Sequence, residues 1–152
     1  MKFICDSMLG TLAKWLRIFG YDVLYNPAWK REELINISLR EDRIILTRGT
    51  SLIKKIGLKV VHIEKDGLEN QLKQLVKQLS LRLTESSIFE RCTICNVICK
   101  TVKKEEVRDR VPAYVYQTQN EFRICPVCTR IYWPGTHIES VQKMIKTILK
   151  NE

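Results

Sequence analysis

The stretch from Lys2 to Tyr25, "KFICDSMLGTLAKWLRIFGYDVLY", contains a strand, a helix and a second strand in immediate succession. Lys2 to Cys5 is a short apolar run that predicts a buried strand. After it, apolar residues recur at helical spacing, at Leu9, Leu12, Ala13, Leu16 and Phe19. Gly20 occupies the position where glycine commonly ends a helix, and Asp22 to Tyr25 predicts the next strand. Two strands joined by a helix favour a parallel pair, because the crossover returns the chain to the same edge of the sheet.

The alternation of strand and helix continues to about residue 80. Periodicity predicts a helix over Arg31–Glu41, a strand over Arg43–Thr47, a short helix over Leu52–Lys55, a strand over Leu58–Ile63 and a helix that begins after Asp66. We expect Leu34, Ile37 and Leu39 to face inward from the first of these helices. The sequence therefore predicts an α/β domain over residues 1–82, with a small, doubly wound, mostly parallel sheet and helices on both faces.

Residues 83–152 differ in composition and predict a separate module. Short β-like runs occur at "AYVY" (Ala113 to Tyr116) and "FRIC" (Phe122 to Cys125). Thr136 to Glu139 has the spacing of a capping box, which begins a helix. Apolar residues then recur along that closing helix, at Ile138, Val141, Ile145, Ile148 and Leu149.

Two C-x-x-C pairs in this module indicate a metal site. Cys92 with Cys95, and Cys125 with Cys128, each form a tight turn that brings two thiolates to one ion. Four sulfur ligands complete a tetrahedron and leave no open position, so we predict a structural zinc in a zinc ribbon. Rubredoxin-like iron and a redox-active dithiol pair are the alternatives.

The remaining thiols and one histidine have simpler explanations. Cys99 is a possible fifth ligand, but its position in "CNVIC" favours an apolar site of the ribbon. Cys5 lies inside the first strand and is expected to be a small core residue. His137 is expected to have a structural role at a helix start or to contact RNA.

The overall composition suggests a globular protein that binds polyanions. The chain has 152 residues, 45% of them hydrophobic, and a net charge of +9. A surface this basic favours nucleic acid, although it also serves solubility alone. We expect no signal peptide and no membrane span, since no apolar run approaches the ~18 residues that a span needs. We therefore expect a soluble cytoplasmic protein without a membrane partner, and in such a reducing compartment the cysteine pairs indicate metal and not disulfides.

Acidic residues follow the predicted strands at one edge of the sheet, where parallel sheets bind ligands. Asp6 follows the first strand, Asp66 follows the fourth, and Glu33 opens the second helix beside Glu32. Carboxylates gathered there can hold Mg²⁺ or Mn²⁺ for phosphodiester cleavage. Asp66 also has the spacing of a helix N-cap, with Glu69 three residues later. Asp22, by contrast, begins a strand and is expected at the opposite edge, as are Glu41 and Asp42.

Basic and aromatic residues are candidates for RNA contacts. Lys14 and Arg17 lie one helical turn apart, and Arg48 follows the third strand, so all three are expected to contact phosphates. A solvated helix face explains the first two equally well. Aromatic residues of the second module can stack on unpaired bases or form its small core; they are Tyr114, Tyr116, Tyr132 and Trp133.

Five segments carry a resemblance to a known family. They are "DSMLGTLAKWLRIFGYDV", "EDRIILTRGTSLI", "RCTICNVICK", "RVPAYVYQTQNEFRICPVC" and "RIYWPGTHIESV". Together they cover nearly the whole chain. The chain resembles the PIN-like ribonuclease family named after the C-terminal domain of the mut-seven exonuclease, in which a PilT N-terminus-like nuclease fold precedes a zinc ribbon.

The resemblance implies metal-dependent RNA cleavage by acidic ligands, with Asp6 at the family's first acidic position. The family usually has "LTRD" where this chain has "LTRG", so Gly49 replaces a metal-binding aspartate. Another acid commonly opens the second helix near Arg31. The expected function is an RNA-directed, Mg²⁺- or Mn²⁺-dependent ribonuclease, weakened by Gly49. The alternatives are a non-catalytic RNA- or ribosome-binding protein descended from that class and a protein-binding scaffold.

Overall fold

The computed structural model describes residues 1–150, with the side chain of Thr136 excepted. The chain divides into two compact units. The first comprises Met1–Arg17 and Tyr21–Arg82, and the second comprises Ile18–Gly20 and the residues from Leu83 onward. Across the described residues, no helix combines the length and the apolar character that crossing a bilayer requires.

The first unit is built around a four-stranded sheet. Its elements in chain order are β1 (Lys2–Cys5), α1 (Gly10–Ile18), β2 (Asp22–Tyr25), α2 (Arg31–Glu41), β3 (Ile44–Thr47), β4 (Val60–His62) and α3 (Leu68–Leu79). The strands lie in the order β2-β1-β3-β4, and every neighbouring pair is parallel. The predicted α/β fold with a parallel sheet is confirmed.

Burial of β1 places the sheet at the centre of this unit. Phe3, Ile4 and Cys5 are all fully buried, as expected for a strand of a parallel sheet covered on both faces. Ile4 and Ile45 pack with Leu34 of α2 and with Leu52 in one hydrophobic cluster. Full burial of each such side chain stabilises the fold by about 1.5–3 kcal/mol. The regularly spaced apolar residues of the sequence therefore form the core of this unit.

Several local predictions about the first unit are wrong. Leu39 is 58% exposed. Ser38 is buried in its place, and its hydroxyl donates a 2.6 Å hydrogen bond to the Arg43 carbonyl where α2 ends. Residues 51–54 form turns rather than a helix, since so short a run cannot offset the cost of helix nucleation. The N-cap of α3 is Gly67, with no side-chain cap, so Asp66 does not cap this helix.

The second unit contains a small antiparallel sheet. Two 3₁₀ turns, Glu85–Ser87 and Lys104–Val107, accompany β5 (Lys100–Val102), α4 (Ala113–Thr118), β6 (Phe122–Ile124), β7 (Ile131–Tyr132) and α5 (Thr136–Leu149). The strand order is β5-β6-β7. This arrangement, with the closing helix α5, agrees with the predicted ribbon and C-terminal helix.

The "AYVY" run is helical and not a strand. Pro112 occupies the N-cap of α4 with a φ of −56°, and proline at a helix start is already in a suitable conformation. Val115 is buried, whereas Tyr114 is 68% exposed. The N-cap of α5 is Gly135, and the predicted capping role of the Thr136 side chain lies outside the described residues.

A buried arginine joins the strands at the amino end of the sheet. The Arg43 side chain is 6% exposed; its Nη1 lies 2.7 Å from Asp22 Oδ1 and its Nε lies 2.7 Å from Glu41 Oε2. Nη1 also donates to the Phe3 carbonyl at 3.2 Å. Asp22 and Glu41 therefore have structural contacts at this edge, as the sequence predicts.

We expect Asp22→Ala to lower the free energy of unfolding by about 3 kcal/mol, because removing one partner leaves a buried guanidinium poorly compensated. The matched control is Asp42→Asn, because Asp42 has a φ of +52° and asparagine tolerates this left-handed conformation. The exposed pair of Asp42 with Lys59 should contribute little to stability. Urea unfolding followed by tryptophan fluorescence measures both changes, and equal losses in the two variants would contradict the expectation.

The same network predicts a dependence of stability on pH. Hydrogen bonds from Arg43 and Arg40 lower the pKa of Glu41. A carboxyl whose pKa is lower in the folded state contributes stability above its unfolded pKa, and this contribution is lost as the pH falls through the folded value. Glu41→Gln should therefore reduce the loss of stability on acidification below about pH 4.3, the ordinary range of a glutamate.

Candidate functional site

The strands that follow β1 in the chain are added on opposite sides of it, so the strand order reverses between β1 and β3. From β1 the chain moves to β2 on one side, and then crosses to β3 on the other side of β1. In open parallel sheets, ligands bind in the crevice outside the carboxyl ends of the two strands where this reversal occurs. The residues that follow β1 and β3, Asp6 and Arg48, lie at that position.

The Asp6 carboxylate is held by three hydrogen bonds. Its Oδ2 accepts from Thr47 Oγ1 at 2.6 Å and from the Arg48 amide at 2.8 Å. Its Oδ1 accepts from the amide of Met8 at 2.9 Å. The side chain thus bridges the ends of β1 and β3, which fixes one carboxylate at the ligand-binding edge. The sequence did not single out Thr47, although its place at a strand end was a signal.

Arg48 connects both predicted acids. Its amide donates to Asp6, while its Nη2 lies 2.7 Å from Asp66 Oδ1. Its Nη1 donates to the carbonyls of Ile63 and Lys65, at 2.9 and 2.8 Å. The guanidinium therefore fastens the β4–α3 loop to the end of β3. A direct phosphate contact, as predicted for Arg48, would have to compete with these three bonds.

Glu33 caps its own helix. Its Oε2 accepts a hydrogen bond from the Lys30 amide at 2.8 Å, which satisfies a donor at the start of α2. Within the described part of the chain, no hydrogen bond links Glu33 to Asp6 or Asp66. The role of Glu33 as a helper ligand stays a prediction.

Gly49 has room for a side chain. A Cβ at this position would meet a single neighbour, Thr47 Oγ1, at 3.5 Å, which is an ordinary contact. Gly49 is not among the glycines with positive φ, so its backbone does not require glycine. An aspartate can therefore stand there without strain, beside the threonine that contacts Asp6.

The predicted basic strip on α1 needs correction. Arg17 is 7% exposed, and its Nε donates to the Val23 carbonyl at 2.8 Å. This hydrogen bond joins α1 to β2, and the buried Arg17 guanidinium is therefore not an accessible phosphate contact. Lys14 is exposed, as predicted, and so are Lys30 and Arg31 at the start of α2. These last two follow β2 at the carboxyl edge of the sheet, and the sequence argument overlooked them as cations.

The second unit contains the four-cysteine cluster. The Sγ atoms of Cys92, Cys95, Cys125 and Cys128 all lie within 4.8 Å of one another. Backbone amides point at the sulfurs in both turns: Cys95 N lies 3.4 Å from Cys92 Sγ, and Cys128 N lies 3.5 Å from Cys125 Sγ. Thiolates supported by amides suit a tetrahedral zinc site. The four side chains can hold a metal such as zinc, as predicted.

Tyr132 supports this cluster and was not predicted to do so. Its hydroxyl accepts a bond from the Thr93 amide at 3.1 Å and lies 3.1 Å from Cys92 Sγ. Burial by itself raises the pKa of the Cys92 thiol, but the hydrogen bonds from Tyr132 and from the amides of Cys95 and Ile94 outweigh it and bring the pKa to about 6. A lowered pKa favours the thiolate, which is the form of cysteine that binds metal.

The other thiols lie outside the cluster. Cys99 is buried, and burial raises its pKa to about 11. Cys5 is fully buried in β1, and burial raises its pKa strongly. Both positions agree with the predicted packing roles. His137 is exposed at the start of α5.

The match to known proteins is consistent with this geometry. The model of the Mut7-C RNase domain family matches residues 1–145. The chain belongs to this family. It is also 30% identical over 101 residues to a human protein, the exonuclease mut-7 homolog; the match covers 62% of this chain and 12% of the human protein. No solved structure matches the chain.

Membership of the Mut7-C RNase family confirms the resemblance deduced from the sequence, but the acidic site is sparse. Among the described residues, the four cysteines are the only group of three or more potential ligands close enough to share a metal ion. At the sheet edge, Asp6 is a single fixed carboxylate, and Asp66 is paired with Arg48. Gly49 lies beside Thr47, where a Cβ has space.

Proposed function

We propose that the protein binds RNA through the first unit and cleaves it slowly, in a divalent-metal-dependent reaction centred on Asp6. The observation that carries this proposal is the position of Asp6, fixed between the ends of β1 and β3 by Thr47 and Arg48. Membership of an RNase domain family supports RNA as the substrate. The net charge of +9 favours a polyanionic partner.

The residues at the sheet edge have separable roles in this proposal. Asp6 holds the ion, and Thr47 orients the carboxylate. Mg²⁺ commonly binds through one or two carboxylates together with waters and substrate phosphates, so one fixed carboxylate permits weak binding. The bound ion would polarise the attacking water and stabilise the leaving oxygen. Lys14, Lys30 and Arg31 contribute positive charge for the RNA backbone, and Asp66 and Glu33 are further candidate ligands.

A non-catalytic RNA- or ribosome-binding role is the second candidate. One observation favours it: in the described residues, no group of three or more potential metal ligands lies at the carboxyl edge of the sheet. A protein of this kind would keep its basic surface and ribbon without turnover. The ribosome as the source of RNA, and a cytoplasmic location, stay predictions.

RNA binding should depend steeply on salt and on the cations of the carboxyl edge. We expect Lys30→Ala with Arg31→Ala to weaken binding of single-stranded RNA. The slope of log affinity against log salt should fall by about 1.4, since each lost contact to a single strand removes about 0.7. Fluorescence anisotropy over a range of salt concentrations measures both effects.

The matched control removes the same charge from the opposite edge, through Lys2→Ala with Arg40→Ala. This variant should retain most of the affinity and the salt slope. Equal losses in the two double variants would point to diffuse attraction and not to a site at the carboxyl edge. RNA cleavage by the wild type that disappears in Asp6→Asn would establish the proposed reaction, and absence of any RNA binding would overturn it.

A further inference from the structure

A small cavity lies in the second unit, and none of the four cysteine ligands lines it. Its volume is about 180 Å³, and three aromatic side chains, Phe89, Tyr132 and Trp133, line it. Each of the three is partly exposed. Pockets for drug-sized ligands enclose about 300–1,000 Å³, so this cavity suits a single flat ring system.

Three charged side chains stand around the same cavity. They are Arg123, Glu85 and Glu121. Within the part of the chain that the structure describes, none of these side chains makes a hydrogen bond or an ion pair. A few polar groups that converge on an aromatic surface are the usual means by which a pocket orients a small ligand.

The aromatic wall is held in place before any ligand binds. Phe89 has a φ of +54°, a left-handed conformation that is rare for a bulky residue and often marks a functional site. Its ring stacks on Tyr132 with a centroid distance of 5.7 Å and an interplanar angle of 23°. The Tyr132 hydroxyl is fixed by the Thr93 amide at 3.1 Å. Because these side chains are already ordered, less conformational entropy is lost when a ligand binds.

We infer that this cavity binds an unpaired guanine base of single-stranded RNA. Unpaired bases stack on aromatic side chains. Guanine offers the O6 and N7 acceptors that an arginine contacts in pairs, and Arg123 supplies such a guanidinium. Its N1–H and 2-amino group are adjacent donors, which suit a carboxylate such as Glu121 or Glu85. Uracil presents a single N–H donor, cytosine has no ring N–H beside its amino group, and adenine has no carbonyl acceptor. None of these three bases therefore offers both a pair of acceptors to the arginine and a pair of adjacent donors to a carboxylate.

This inference rests on the proposed function, in that RNA supplies the base. It adds a second contact, in the zinc-ribbon unit, to the phosphate contacts proposed for the first unit. The cavity would give the protein a base preference, which phosphate contacts alone do not provide.

The test compares two labelled RNAs with the zinc-loaded full chain: a short oligouridine, and the same oligomer with one central guanosine. The wild type should bind the guanosine-containing RNA about fivefold or more tightly, the discrimination expected of one bidentate arginine contact to a base edge. Arg123→Gln and Glu121→Gln should remove most of this preference. Arg130→Gln is the matched control, because Arg130 is exposed and does not line the cavity; it should affect both RNAs equally.

The outcomes separate this inference from the proposed function. If the wild type binds both RNAs equally, or if Arg123→Gln behaves like Arg130→Gln, the guanine site is overturned while RNA binding stands. If the wild type binds no RNA, the proposed function fails. A titration with guanosine monophosphate then tests, independently of RNA, whether the cavity binds guanine. The indole N–H resonance of Trp133, assigned with Trp133→Phe, should then shift with guanosine but not with uridine monophosphate. No shift with either nucleotide would overturn the inference.

Discussion

Replacing Cys125 with serine is expected to abolish stoichiometric zinc binding and to unfold the second unit. The Cys125 sulfur is one of four that lie within 4.8 Å of one another, and the cysteine is fully buried. Structural zinc contributes about 10–16 kcal/mol of apparent binding free energy in small zinc modules. That is as large as the total stability of a typical domain, about 5–15 kcal/mol, so loss of one thiolate should leave this unit largely unfolded.

Metal analysis and limited proteolysis test this expectation. The wild type should contain about one zinc per chain, and protease cleavage in Cys125→Ser should concentrate beyond residue 83. The matched control is Cys99→Ser, which removes a buried thiol outside the four-cysteine cluster and should retain the metal. Zinc retained in Cys125→Ser, or lost equally in both variants, would contradict the assignment. Iron in place of zinc would support the rubredoxin-like alternative.

Gly49→Asp is expected to increase Mn²⁺ affinity and RNA cleavage by about 100-fold or more. Residues that only support metal ligands already change affinity or activity by about 10- to 100-fold, and a direct ligand should do more. The new carboxylate would stand beside Thr47, whose hydroxyl contacts Asp6 at 2.6 Å. A Cβ at position 49 fits without a clash, so the variant should fold normally.

Matched time courses on a labelled single-stranded RNA, together with Mn²⁺ titration by electron paramagnetic resonance, distinguish the possibilities. Gly49→Asn has nearly the same shape without the charge and should gain nothing. Adding Asp6→Asn to Gly49→Asp should abolish the gain. Robust wild-type cleavage that is lost in Asp6→Asn would show that the missing aspartate is dispensable. RNA binding without cleavage by any variant would favour the non-catalytic role.

Local patterns in the sequence predicted the elements that depend on local chemistry. The apolar run of β1, the helical spacing of α1 and the terminal glycine at position 20 are each set by neighbouring residues, and the structure confirms them. Gly20 has a φ of +90°, and the Tyr21 amide donates to the Leu16 carbonyl at 3.0 Å, as in a glycine-ended helix. The C-x-x-C pairs were equally informative, because a metal ion demands a fixed kind and number of ligands.

Predictions about side-chain partners were less secure, since a partner is chosen by long-range contacts. Arg17 has the spacing of a solvent-facing cation, yet it is buried against a carbonyl of β2. Asp66 has the spacing of a helix cap, yet it pairs with Arg48, from the end of another strand. Arg43 is buried because the sheet brings Asp22 to it, and the neighbouring Glu41 also pairs with its guanidinium. In each case, a partner on another element of the fold, and not the local spacing, decided where the side chain lies.

The sequence by itself determined the α/β class, the parallel sheet, the four-cysteine cluster and the single acid after β1, because periodicity and ligand spacing are local properties. Only the tertiary structure decided that Thr47 and the Arg48 amide fix that acid, that Gly49 has space for a second one, and that Arg17 is unavailable to RNA. The tertiary structure also assembled the aromatic cavity, in which Glu85 meets Glu121 and Arg123 from a segment more than 30 residues later in the chain. The physical reason is that strand order and packing decide which distant groups meet, and no periodicity along the chain encodes that choice.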